Sequence, residues 1–258
     1  MARSVTSHEQ EIDVVVLIKA APEMGRKHGE TVCVAGVDLN GRWHRLYPVA
    51  FRDLDKSRQF YRWDIVRVRW RRPQDDDRVE SKRIDPLTLA VVGNVKQRER
   101  FGLVERSLIS SLEDELNNGR SLALIRPDNV RFHTPRMTSA ELDKSNRRRS
   151  QLINQGDMFA KSMIPATSPP VSFKYTFDHG GKRRTHSCID WETERTFFKW
   201  RELYGEEEAL RKMRAQWGEE MPASGLVFAM GTHRVKMFKK WLLSGVLQVP
   251  VGTQPFLL

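Results

Sequence analysis

Hydrophobic and polar positions divide this chain into short runs, most with the two-residue period of strands. Asp13–Lys19 (DVVVLIK) is continuously apolar and short enough to be a buried strand. Val32–Leu39 and Arg42–Val49 flank Asn40-Gly41. That pattern predicts a hairpin closed by a type I′ turn, with positive φ at both turn residues. On the first run Cys33, Ala35, Val37 and Leu39 form an apolar face that predicts a core contact. On the second, Trp43, Arg45 and Tyr47 share one face, and Arg42, His44 and Leu46 share the other. Pro48 ends the pairing because it has no N–H to donate. Tyr61–Trp70 is the next strand, with Tyr61, Trp63, Ile65, Arg67 and Arg69 on one face and Val66, Val68 and Trp70 on the other. Two short strands follow, Arg78–Ile84 and Leu87–Val92, broken at Asp85-Pro86.

Helical spacing first appears over Val95–Asn118, where Phe101, Val104, Leu108, Leu112 and Leu116 recur at threes and fours. Ser121–Ile125 is a strand, and Arg126-Pro127-Asp128 turns the chain. Thr138 to Asn154 predicts a helix capped by Ser139, carrying Arg147, Arg148 and Arg149 into a stretch with Pro165, Pro169 and Pro170. Val171–Phe177 alternates cleanly, and Gly180-Gly181 turns it into Lys182–Ile189. Asp190 opens a helix that Gly205 breaks, and Leu210, Met213 and Trp217 mark a second. Gly225–Met230 and Lys240–Val249 are further strands. The absence of a βαβ rhythm predicts an α+β fold with small barrels or half-barrels.

Composition adds a partner class. The 258 residues are 39% hydrophobic and 30% charged, with a net charge of +11 carried mostly by arginine. Such a balance favours a polyanion, most simply nucleic acid. The two cysteines, Cys33 and Cys188, exclude a disulfide framework and an all-cysteine zinc site. The first eleven residues lack the apolar stretch of a signal peptide, and no long apolar window suggests a membrane span. The expectation is a cytoplasmic protein without a cofactor.

Two groups of residues could carry chemistry. Rings leading into guanidiniums, Tyr61 and Trp63 then Arg67 and Arg69, would suit single-strand stacking and phosphate contact. Equally, the rings could be core and the arginines solvated. His186, Asp190 and Glu192 could hold a divalent ion for phosphodiester cleavage. Alternatively, Asp190 caps a helix, Glu192 sits in its first turn and His186 is a strand residue. The aspartates Asp75 to Asp77 read as a solvated loop, because consecutive loop positions do not converge on an ion.

The run ETVCVAGVDLNGRWHRLYPVAFRDL, with SLALIRPDNV, HSCIDWE and FAMGT after it, resembles an uncharacterised bacterial family. Its amino-terminal part is similar to a dual OB-containing domain associated with prokaryotic conflict systems and mobile elements. The resemblance implies nucleic-acid binding. Members of that family carry two cysteines before the HxxxDWE segment; Phe177 to Arg184 contains none, which removes the metal site the resemblance would imply.

The combined expectation is an OB-like β-rich domain over residues 1–135, a basic helical connector over 136–170 and a smaller α+β unit over 171–258. The expected function is recognition of nucleic acid, single-stranded DNA or RNA, by a subunit of a defence or mobile-element assembly. Trp43, Arg45, Tyr47, Tyr61, Trp63, Arg67, Arg69 and Arg147 to Arg149 are the expected contacts. A metal-dependent nuclease and a protein–protein adaptor are the alternatives.

Overall fold

The computed structural model describes residues 9–25, 29–49, 54, 58–150, 167–232 and 240–250. Its first five strands are β1 (Gln10–Gly25), β2 (Gly29–Val37), β3 (Trp43–Tyr47), β4 (Asp64–Arg71) and β5 (Ser81–Ile84). They close a barrel in the order β1-β2-β3-β5-β4, because β1 pairs with β2 through one half and with β4 through the other. The β3–β5 pairing is parallel and the others are antiparallel. A sixth strand, β6 (Ala90–Asn94), extends the sheet along β4. Bulges between Val16 and Ile18 and between Ala20 and Glu23 bend the long β1 around the barrel. Where β2 crosses β1, a Cβ on Gly36 would stand 1.8 Å from the Val15 carbonyl oxygen, so only glycine fits.

The apolar run in β1 is explained by burial on both of its faces. Val14 and Val16 point into the barrel with Val34, Leu46, Phe60, Val66 and Val68. Val15 and Leu17 point outward and are covered by the rest of the chain: α1 (Gln97–Glu105), β7 (Leu122–Ile125), β11 (Leu226–Thr232) and β12 (Trp241–Gln248). Ala35 and Val37 of β2 join them. Leu39, expected on that core face, lies in the hairpin loop and is 60% exposed. The side chain of Cys33 lies outside the described residues.

The second unit is two three-stranded antiparallel sheets around a third core. One has the order β12-β11-β7; the other is β10 (Lys182–Ser187), β9 (Lys174–His179) and β8 (Asp128–His133). Tyr175 and Phe177 meet Phe228 edge-on, Phe173 meets Phe197 edge-on, and Phe132 tilts against Tyr175. Helix α2 (Leu112–Asn117) and a helical layer close this core. The layer is α4 (Trp191–Tyr204), α5 (Glu206–Ala215), a π-helical turn at Gln216–Glu220 and α6 (Met221–Gly225). A further helix, α3 (Ser139–Ser150), is tied to the chain near residue 168 by Ser145 and Asn146. The fold is therefore mixed α+β with a small closed barrel.

Several sequence expectations change. The Asn40-Gly41 hairpin forms, but of the two only Gly41 has positive φ, at 82°. Asp38 and Arg42 close a three-residue loop, and the Asp38 carboxylate accepts from the N–H groups of Asn40 and Arg42. Such a loop needs one left-handed residue instead of two. The type I′ geometry is found instead at Gly180-Gly181, with φ of 59° and 70°. Val95–Asn118 is not one helix: Ile109 N–H donates to Leu124 O, which pulls 107–111 into an extended link beside β7. Ser111 then caps α2. Thr138, not Ser139, caps α3, exchanging hydrogen bonds with Glu141 as a capping box. Strand β8 begins at Asp128, the last residue of the expected turn, and runs to His133, a strand not predicted from the sequence, because Asp128–His133 pairs along β9.

Candidate functional site

The HSCIDWE segment lies where barrel and second unit meet. Cys188 bridges to Leu243 beside β12, and Ile189 N–H donates to Leu243 O. This placement delivers Asp190 to the start of α4, where its side chain accepts from Glu192 N–H. The same carboxylate accepts from Val246 N–H at 3.1 Å and from Arg62 Nη2 at 2.9 and 3.0 Å. Arg62 comes from the barrel, and its other terminal nitrogen donates to Val246 O. Glu192 completes the group, 3.3 Å from Arg62 and 3.1 Å from Lys19 of β1. Trp191, between the two acids, packs into the barrel core. Burial pushes the Asp190 carboxyl above the ordinary range, against the pull of Arg62. For Glu192, burial raises but the charges of Arg62 and Lys19 outweigh it, and the group is lowered. Both acids are thus bound to cations of the barrel, and the cluster acts as a clamp between the units.

His186 is not part of that clamp. It stacks on Phe177 with ring centroids 5.7 Å apart. Burial lowers its pKa, as it does for His179, whose ring faces the Ile109 carbonyl. Cys188 is half-buried with its sulfur against Thr193, and desolvation pushes its thiol up to about 12. Among the described residues no three of His, Cys, Asp and Glu converge on a point that could hold an ion.

The expected nucleic-acid contacts scatter over the barrel. Trp43 and Tyr47 are half-buried, and Trp43 packs on the core shared by the two units. Arg45 is 7% exposed and donates to the carbonyl and hydroxyl oxygens of Ser121, so the second unit covers this face of β3. Tyr61 and Trp63 do not share a strand face with Arg67. Trp63 has φ of 74° in the turn before β4, is buried, and lies under Arg100 at 4.9 Å. Tyr61 is 69% exposed, with the Lys19 ammonium 5.5 Å from its ring. Arg67 and Arg69 do face outward; Asp13 on β1 holds Arg67 through two 2.7 Å bonds. Arg147 is exposed on α3, and the side chains of Arg148 and Arg149 lie outside the described residues. Asp76 of the acidic loop is not solvated as expected: it binds the buried Arg78, which reaches Thr232 O.

Sequence reasoning missed the outward face of the β10-β9-β8 sheet. Its inward residues are Phe132, Tyr175 and Phe177. Outward, the register aligns His133 with Lys174 and Ser187, and Arg131 with Thr176 and Thr185. Arg183 continues this face and, with Asn129, binds Asp178. The side chains of Arg131 and Lys174 make no hydrogen bond or close ion pair among the described residues, and Lys174 acts on the Glu141 carboxylate at longer range. The alternation of Val171–Phe177 pointed to this sheet; the neighbouring strand β8 was hidden behind Arg126-Pro127-Asp128.

Fold and clamp define a two-part chain, a small barrel and an α+β unit joined by a shared core. Residues 106–256, more than half of the chain, match the family described as a domain of unknown function (DUF8757), and the chain belongs to it. The barrel, residues 10–107, matches a second domain of unknown function (DUF8758). The two matches meet at the end of α1. No curated protein matches the chain.

Proposed function

We propose that this chain binds nucleic acid, with the outward face of the β10-β9-β8 sheet as its phosphate-contacting surface. The observation that carries the reading is that face itself: Arg131, His133 and Lys174 stand among the hydroxyls of Thr176, Thr185 and Ser187, with the Arg183–Asp178 pair at one end and no apolar side chain between. Cations and hydroxyls on a rigid sheet suit phosphate and sugar contacts, which position a strand without reading its sequence. The net charge of +11 supports the same partner. The barrel is read as OB-type, on its five strands and on β5 lying between β3 and β4. Its β1-β2 wall is buried against the second unit, so the contacts move to the sheet and to the exposed arginines of β4. The setting that the family resemblance implies is a recognition subunit of a defence or mobile-element assembly.

The test is binding of labelled single-stranded DNA and RNA across a salt series. Affinity falls steeply with salt, and each phosphate contact removed lowers the slope of log K against log[salt] by about 0.7. Arg131→Ala with Lys174→Ala is expected to weaken binding and to lower that slope by about 1.4. No binding to either nucleic acid at low salt, or an unchanged slope in the double variant, would refute the reading.

A further inference from the structure

Between α4, α5 and the π-helical turn lies an open cleft of about 340 Å³, well away from the Asp190 clamp. Trp200, Tyr204, Arg211, Lys212, Gln216 and Glu220 line it. We infer that this cleft receives a nucleobase together with its phosphate, the rings of Trp200 and Tyr204 taking the base and Lys212 the phosphate.

The elements that build the cleft favour that ligand. Trp200 is braced edge-on by Trp217, with centroids 5.7 Å apart, so its ring is held in one orientation. Tyr204 is 50% exposed, an aromatic surface that the fold leaves open. The Lys212 ammonium stands 4.8 Å from the Tyr204 ring centre, which places a cation beside an aromatic ring. Arg211, one residue earlier, is bound by Glu208 at 2.6 and 2.7 Å, which leaves Lys212 as the cation proposed for the phosphate. The π turn at Gln216–Glu220 is a rare geometry found often at functional sites. Its Gln216 and Glu220 add a donor and acceptors to the lining, the groups that read a base edge. A volume near the small end of ligand pockets suits one nucleotide.

Position links the cleft to the basic sheet. Arg214 of α5 donates to Thr134 Oγ1, the residue after β8, and Arg136 pairs with Glu206 at the start of α5. A strand held by His133 and Arg131 would meet α5 on leaving the sheet. The cleft could therefore take an unstacked base of that strand or a free nucleotide. The placement on a strand rests on the proposed nucleic-acid reading; the base-plus-phosphate chemistry does not.

The experiment titrates the full chain with the four ribonucleoside monophosphates, the matching nucleosides, inorganic phosphate and a phosphotyrosine peptide, read by tryptophan fluorescence and calorimetry. The expected result is saturable binding of a monophosphate, tighter than its nucleoside or phosphate alone. Tyr204→Ala and Lys212→Met each weaken it about tenfold, and Tyr204→Phe retains it. No saturation by any nucleotide, equal binding of bare phosphate, tighter binding of the peptide, or unchanged affinity in both variants would each overturn the inference. Competition by a single-stranded oligonucleotide separates the sources: displacement assigns the site to a strand, and its absence assigns it to a free nucleotide. Arg131→Ala with Lys174→Ala is expected to leave monophosphate binding unchanged. Failure of the sheet reading is thereby distinguished from failure of this one.

Discussion

Asp190→Ala is the substitution that weighs the clamp most directly. If Asp190 were only a helix cap, its loss would cost about 1 kcal/mol. The structure asks more of it. Its side chain is 1% exposed and faces Arg62, itself 11% exposed, while also accepting from Val246 N–H. Alanine leaves the Arg62 charge with Glu192 alone, at 3.3 Å, and leaves the Val246 N–H without an acceptor. Removing one member of a buried pair costs about 3–5 kcal/mol, because the remaining charge stays desolvated. The cap at Glu192 N–H and the bond from Val246 N–H use different carboxylate oxygens. Asp190→Asn, with a single oxygen, keeps one of them and loses the other together with the charge, so it falls between wild type and alanine. Adding Arg62→Met to Asp190→Asn removes the stranded charge and recovers part of the loss. Urea unfolding at neutral pH, followed by both fluorescence and circular dichroism, measures the wild type, these three variants and Arg62→Met alone, which completes the cycle between positions 62 and 190. The slope against urea is expected to stay constant, since the surface exposed on unfolding does not change. A cost near 1 kcal/mol for Asp190→Ala, with no coupling between positions 62 and 190, would show that Arg62 is solvated and that the clamp does not join the units.

Two further outcomes follow from burial. His44, His179 and His186 are all lowered from their ordinary value of 6.5, each chiefly by desolvation. The unfolded chain then binds protons more readily, so stability is full above pH 6.5 and falls as the pH drops below it, by at most ~1.4 kcal/mol per pH unit for each histidine. Unfolding midpoints in urea from pH 8 to pH 5 check this, and a midpoint that holds or rises on acidification would contradict it. Gly36→Ala is expected to cost about 3 kcal/mol or more, since its Cβ would lie 1.8 Å from a backbone oxygen. A variant with a wild-type melting temperature would disprove the close crossing of β1 and β2.

Local chemistry made much of this fold legible. Asp190 as a cap, Gly205 as a stop and Gly180-Gly181 as a turn all follow from backbone rules acting within a few residues. What escaped was set by distant partners. Trp63 sits in an alternating run, yet its positive φ takes it out of the strand, and its N–H and C=O are bound by Val16 and Val95. Leu108 fits a helical stripe, yet the edge of β7 claims it through the bridge to Leu124. Glu192 looked like a metal ligand because its partners, Arg62 and Lys19, lie more than a hundred residues earlier in the chain. Charge spacing shows which side chains are acidic or basic, but not which of them neutralise each other.

The shared core also explains why the expected binding face and the available one differ. A barrel strand has two faces, and in a lone barrel only the inner one is buried. Here Val15, Leu17, Ala35 and Val37 cover the outer face of β1 and β2 with apolar groups that β7, β11 and β12 shield from water. Arg45, next along that wall, survives there only because the Ser121 oxygens satisfy its guanidinium. A wall committed to packing cannot also present solvated cations to a polyanion. Among the described strands, arginines stay exposed on β4 opposite Asp13 and on the outward side of β8, β9 and β10. Of these two surfaces, β4 has its Arg67 bound to a carboxylate at 2.7 Å, while on the sheet Asp178 holds Arg183, Lys174 acts on Glu141 only at longer range, and Arg131 makes no ion pair among the described residues. That difference, and not the density of arginine along the sequence, favours the sheet as the place where a phosphate backbone gains most.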